Sequence, residues 1–176
     1  GGALSDSFIM GATGSLNGGI NGGKGADFID YSAYSTTISV DLTATPGTAT
    51  NVTGGLAVGS GGDIGSSIEH VYGGSGADTI VGDADVNTIR GNAGADTINA
   101  KDGIDNVNGG TGNDLIQIAG TEAADDLIVG GPGGVEDPTD YDIVRNVGSG
   151  PATLHNFNST FDVFTNSIDR YEGAGF

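Results

Sequence analysis

Between residues 73 and 117 an apolar side chain returns at every ninth position: Ile80, Ile89, Ile98, Val107 and Ile116. The stretch divides into GGSGADTIV, GDADVNTIR, GNAGADTIN, AKDGIDNVN and GGTGNDLIQ. In that frame the sixth position reads Asp78, Asn87, Asp96, Asp105 and Asp114. The frame extends outward to residues 64–72 with Glu69 and Val71, 22–30 with Asp27 and Ile29, and 1–9 with Asp6 and Phe8. Residues 13–21 keep the register through Ile20 but carry no acid at the sixth place.

Each unit couples a turn to a short strand. Glycines at the first, second and fourth positions permit positive φ and close backbone approach, so the first six residues predict a tight turn. The last three, such as Thr79-Ile80-Val81, are β-prone and alternate, which points Ile80 inward and its neighbours outward. A strand of three residues has to stack on copies of itself, two units forming one coil. Asp78, Asp96 and Asp114 then make one column, with Asn87 and Asp105 in another on the opposite edge. Carboxylates one strand spacing apart (~4.8 Å) repel unless a cation lies between them. Carboxylate and carbonyl oxygens suit Ca²⁺, whose coordination is flexible; Zn²⁺ favours N and S ligands, and Mg²⁺ demands a stricter octahedron. Asp96, the middle of the three, is expected to be the most sensitive single residue.

Composition supports a cation. Of 176 residues 35 are Gly, 23 are acidic and 5 are Lys or Arg, for a net charge of −18. Nineteen of the acids are Asp, which disfavours helix. Leu, Ile, Val and Phe total only 40, too few for a comfortable globular core against that self-repulsion. The charge excludes a nucleic-acid or anionic-membrane binder. No apolar run is long enough for a transmembrane helix, and without cysteine there is neither a disulfide nor a thiolate zinc site. The opening GGALSDSF is not a signal peptide. Both ends lie inside patterned sequence, so the chain reads as an excerpt of something longer.

GGSGADTIV, GNAGADTIN and GGTGNDLIQ resemble the GGxGxDxUx nonapeptides of RTX (haemolysin-type calcium-binding) proteins. The resemblance implies an all-β fold, a right-handed parallel β-roll (β-solenoid) with several Ca²⁺ ions in its turns. It implies that the carbonyls of Gly74 and Gly76 and the Asp78 carboxylate face Gly91 and Asp96. Likewise Asn92, Gly94 and Asp96 face Gly109 and Asp114, with Gly112 in the upper turn. GDADVN and AKDGID depart from the motif, so weak or empty sites are expected in the Asn87 and Asp105 column, with Asp83 and Asp85 as further candidate ligands there. Asp6, Asp27, Asp126 and Asp142 are further candidate ligands.

The chain is read as a first repeat block (1–30), a longer-stranded β segment (31–63), the main roll (64–129), and a degenerate repeat with the start of a second module (130–176). In the second part residues 37–42 alternate, with Ile38, Val40 and Leu42 on one face. Pro46-Gly47 marks a turn, and residues 48–53 are the candidate hairpin partner. SIEHVYGG at 67–74 returns as SIDRYEGA at 167–174, which suggests tandem modules.

Catalytic readings are weak. The chain has two histidines, His70 and His155, and no HExxH or GxSxG motif. His70 falls at an outward seventh position. Asp125-Asp126 is acidic background, Thr79 and Thr97 make an outer column that ends at Leu115, and Tyr31 with Tyr34 is read as packing. The function expected is a Ca²⁺-dependent folding, spacer or scaffold segment of a secreted, bacterial, surface or matrix protein, exported by a type I apparatus. The alternative is the RTX part of a secreted protease, lipase or alginate epimerase whose catalytic domain lies elsewhere. Candidate partners besides Ca²⁺ are cell-surface polysaccharide and neighbouring modules of the same chain.

Overall fold

The computed structural model describes residues 1–12, 20–43, 68–119, 126–131, 142–147, 153–155, 163–165 and 170–172. The described residues form strands and turns only. β1 (Ser7–Ile9), β2 (Phe28–Asp30), β3 (Ser39–Asp41) and β4 (His70–Tyr72) precede the regular repeat. It supplies β5 (Thr79–Val81), β6 (Thr88–Ala93), β7 (Thr97–Asn99), β8 (Asn106–Thr111) and β9 (Leu115–Ile118). Then come β10 (Leu127–Val129), β11 (Ile143–Asn146), β12 (Thr153–His155), β13 (Val163–Thr165) and β14 (Arg170–Glu172). No helix among them is long and apolar enough to cross a membrane.

The strands sort by parity into two parallel sheets. One runs β1-β2-β4-β6-β8-β10-β12-β14, the other β13-β11-β9-β7-β5-β3. This is a parallel β-roll. Register follows the coil: Thr79 pairs with Thr97 and Thr97 with Leu115 in one sheet, and Thr88 with Asn106 in the other. A two-residue change of register would keep the faces but break the turns; a one-residue slip would turn the isoleucines outward.

The core is two facing ladders of eighth-position side chains. Ile29, Val71, Ile89, Val107 and Ile128 come from the first sheet, and Val40, Ile80, Ile98, Ile116 and Val144 from the second. All are fully buried, each contributing roughly 1.5–3 kcal/mol of burial. One such side chain per strand makes a narrow core, so edge interactions matter here more than in a sandwich.

Residues 37–42 bury Ile38, Val40 and Leu42 as their alternation predicts. Their strand, β3, stacks in parallel on β5 with Val40 against Ile80, as one more rung of the second sheet. Pro46-Gly47 and the hairpin partner at 48–53 lie outside the described residues, as does Asp125. Residues 170–172, counterparts of 70–72 in the hundred-residue repeat, form β14, the last rung of the same sheet that contains β4.

Candidate metal centre

The sixth positions stack along both edges of the roll through one repeated hydrogen bond. The Asp78 amide donates to Asp96 Oδ1 (2.7 Å), the Asp96 amide to Asp114 Oδ1 (2.8 Å), and the Asp114 amide to Asp142 Oδ1 (2.8 Å). Among the described residues the first-edge column therefore has four acids, one more than the nonapeptide frame supplies. It ends at Asp78, whose Oδ1 accepts the amide of Ile38 (2.9 Å), an apolar residue in the corresponding place.

On the second edge the Asp6 amide donates to Asp27 Oδ1 (2.6 Å) and the Asp27 amide to Glu69 Oε2 (2.6 Å). The Asn87 amide donates to Asp105 Oδ1 and the Asp105 amide to Asp126 Oδ1, both at 2.9 Å. Partners are separated by 18, 21, 28 or 42 residues, and the contact is the same each time. Insertions are accommodated between the rungs, and the column is kept. Glu69, absent from the predicted ligand set, holds a sixth position although its frame was visible.

These groups are buried. Asp27, Asp78, Asp96, Asp105, Asp114, Asp126 and Asp142 are all 5% exposed or less, and no basic side chain is buried among the described residues. Asp6 is only half-buried. Desolvation pushes the Asp96 carboxyl up to about 7; the Asp78 amide opposes that rise, and the Asp78 charge adds to it. Burial also raises Asp78, against the lowering effect of hydrogen bonds from the amides of Gly74 and Ile38.

The glycines divide their work. First-position glycines are required by contact: a methyl group on Gly73 would lie 2.7 Å from Asp78 Oδ2, and one on Gly91 or Gly109 would strike Asp96 Oδ2 or Asp114 Oδ2. Gly130 does the same for Asp142 from twelve residues away, a pairing that the frame does not reveal. Second and fourth positions are required by conformation, with Gly94, Gly110 and Gly112 at φ 123°, 111° and 113° and Asn92 at 77°. Gly74 and Gly76 lie outside the left-handed region; they pack instead on the backbone of Tyr34 and of Thr36 and Thr37.

Turn carbonyls lie between the rungs. Above turn 73–78, Gly74 O accepts the Ala93 amide (3.2 Å), Gly76 O lies beneath Gly94, and Gly91 O reaches down over Gly73. In the next gap Asn92 O lies under Gly110, Gly94 O under Gly112, and Gly109 O over Gly91. Asp96 Oδ2 is buried beside Gly91 with no hydrogen-bond partner, and Asp27 Oδ2 is in the same condition. Among the described residues no three acidic, histidine or cysteine side chains converge. A cation held here must draw on backbone carbonyls, as Ca²⁺ does with its six to eight oxygen ligands. This donor set fits Ca²⁺.

A family model of the RTX calcium-binding nonapeptide repeat matches residues 72–107 and 100–117, in four copies. The stretch is an RTX calcium-binding repeat. No curated protein matches the chain. The RTX match begins at Tyr72, so the columns reach beyond it at both ends, to Asp6 on one edge and Asp142 on the other.

Within the RTX segment, AKDGID keeps the left-handed backbone despite lacking two glycines: Lys101 is at φ 73° and Gly103 at 125°. A left-handed non-glycine costs about 1–2 kcal/mol, and glycine's extra unfolded-state entropy returns about 0.5–1 of that. Lys101→Gly is therefore expected to stabilise the calcium-loaded chain by roughly 0.5–1 kcal/mol, raising its thermal midpoint; a lowered midpoint would show that the Lys101 side chain matters more than its backbone. Asn92 tolerates the same conformation and uses its side chain, whose Nδ2 donates to Gly73 O (2.7 Å).

Among the described residues the outer faces carry no comparable cluster. His70 is half-buried on β4, paired in register with Phe28 and Thr88. Tyr31 and Tyr34 are buried edge to face, centroids 5.4 Å apart, which is packing. Tyr72 is sandwiched between Phe28 (4.5 Å) and the Arg90 guanidinium (4.7 Å).

Proposed function

We propose that this chain is a calcium-dependent folding and spacer segment of a secreted or surface-exposed bacterial protein. The observation that carries the reading is the pair of columns of buried carboxylates with no buried basic partner among the described residues, beside turn carbonyls of the neighbouring coils. Gly74, Gly76, Asp78, Gly91 and Asp96 would hold one ion, and Asn92, Gly94, Asp96, Gly109 and Asp114 another. Asp142 continues that column, and Asp6, Asp27, Glu69, Asp105 and Asp126 supply the other edge. The ion would supply positive charge between stacked acids; the residues position it and exclude water.

Extracellular calcium suits such sites, because modules that work outside the cell bind in the range of about 10⁻⁴–10⁻³ M. Solenoid coils contact only their neighbours, so a run of them makes a spacer whose length scales with repeat number. No reaction is assigned to these residues. Calorimetric titration tests the binding. Several Ca²⁺ ions per chain are expected at millimolar concentration, undiminished by equal Mg²⁺. A flat titration, or full displacement by Mg²⁺, would overturn the reading.

A further inference from the structure

We propose that turn 82–87 carries no ion of its own and is held shut instead by a clasp between Asn87 and Asp83, a calcium-independent rung inside the calcium-binding columns. The inference rests on the calcium reading above. Asn87 occupies a sixth position and is fully buried. Both polar atoms of its side chain are used within the turn: Oδ1 accepts the Asp83 amide (2.9 Å) and Nδ2 donates to Asp83 Oδ1 (3.2 Å). Asp83 Oδ1 also accepts the Asp85 amide (3.0 Å), which organises the backbone between them.

The contrast with Asp96 identifies the device. At Asp96 a buried carboxylate oxygen has no partner. Asp78 accepts the Gly74 amide as Asn87 accepts that of Asp83, so what sets Asn87 apart is its neutral Nδ2 donor to Asp83. An amide N–H₂ presents positive hydrogens to Asp83 where a carboxylate would present more negative charge. Neither Asp83 nor Asp85 is left-handed, and Asp85 faces solvent. Turn 73–78 also lacks left-handed residues, so the decisive difference is the side chain at the sixth position. Strand stacking continues on both sides, the Asn87 amide donating to Asp105 Oδ1 and the Thr88 amide to the Glu69 carbonyl, while the Glu69 amide donates to the Asp27 carbonyl and Asn87 Oδ1 is taken by Asp83. The clasp thus divides the second-edge acids into Asp6, Asp27 and Glu69 on one side and Asp105 and Asp126 on the other.

The test is the number of Ca²⁺ ions bound by the full chain and by three variants. Asp83→Asn keeps the acceptor of the clasp and is expected to bind as many ions as the wild type. Asn87→Asp replaces the clasp donor with a carboxylate and is expected to bind one ion more. Asp96→Asn, the comparator, is expected to lose at least one. Loss of an ion in Asp83→Asn would make Asp83 a ligand and overturn the clasp, whether or not Asn87→Asp folds. A folded Asn87→Asp with an unchanged count would overturn it too. An unchanged count in Asp96→Asn would instead defeat the calcium columns, and this inference with them.

Discussion

Stripped of calcium by EGTA near neutral pH, the chain is expected to lose most of its strand signal in circular dichroism and to regain it in millimolar Ca²⁺. Seven aspartates are buried without a buried basic partner among the described residues. Leaving a carboxylate buried and uncompensated costs several kcal/mol after relaxation. Amide donors such as those of Ile38 and Gly74 on Asp78 offset part of that cost. A domain's net stability is only about 5–15 kcal/mol, so a few uncompensated groups are enough to unfold it. Chain entropy then keeps it unfolded, since the core offers two large side chains per coil.

Protons should substitute in part for the ion. Asp96 is raised to about 7 in the fold, while its unfolded value lies near 3.8. Its protonated form therefore stabilises the metal-free roll fully below the lower value, and that stability is lost as pH rises through the higher one. In EGTA, strand signal should grow as pH falls from about 8 to about 5. A strand-rich spectrum in EGTA at about pH 8, indifferent to calcium, would show that the acids are not what sets the stability.

The nonapeptide frame was enough to place the starts of β5 to β9, the inward apolar residues and the sixth-position acids, because the roll has one side chain per strand to bury and one per turn to stack. It did not show that β6 and β8 run on three residues, through Ala93 and Thr111, into positions read as turn. Where spacing broke, the frame lost information. Asp142 and Gly130 meet across an intervening segment, and neither the length of that segment nor its composition fixes where the chain returns. Ile38 could not be recognised as the end of an acidic column, since an alternating run contains no sign of what it stacks upon. Side-chain substitution was equally opaque. AKDGID lacks two glycines and keeps the left-handed turn, because Lys101 accepts strain that neighbouring coils hold in place. GDADVN looks like a damaged calcium turn, whereas two of its three replacements, Asp83 and Asn87, bond to each other. A pattern of single residues cannot display a contact between two of its exceptions.

Single Asp→Ala variants along the first edge should separate the interior of the column from its end. Asp96 and Asp114 each lie between two turn gaps, whereas Asp78 borders one such gap and, on its other side, Ile38. Asp96→Ala strips the acceptor from the Asp78 amide and removes the carboxylate that enters the gap lined by Gly74, Gly76 and Gly91. It also removes the acid beneath the next gap, so two neighbouring coils lose cohesion together. In a solenoid, stability is a sum of coil and interface terms, and an interior break costs two interfaces where a terminal one costs one. The calcium midpoint of folding is expected to rise more than about tenfold for Asp96→Ala and Asp114→Ala, a change of at least about 1.4 kcal/mol, and less for Asp78→Ala. Asp142 makes Asp114 an interior residue, so Asp96 and Asp114 should behave alike. The midpoints come from calcium titrations followed by circular dichroism. A shift for Asp78→Ala equal to or greater than that for Asp96→Ala would mean that the acids act one by one, and that the column is a geometric repeat without shared ions.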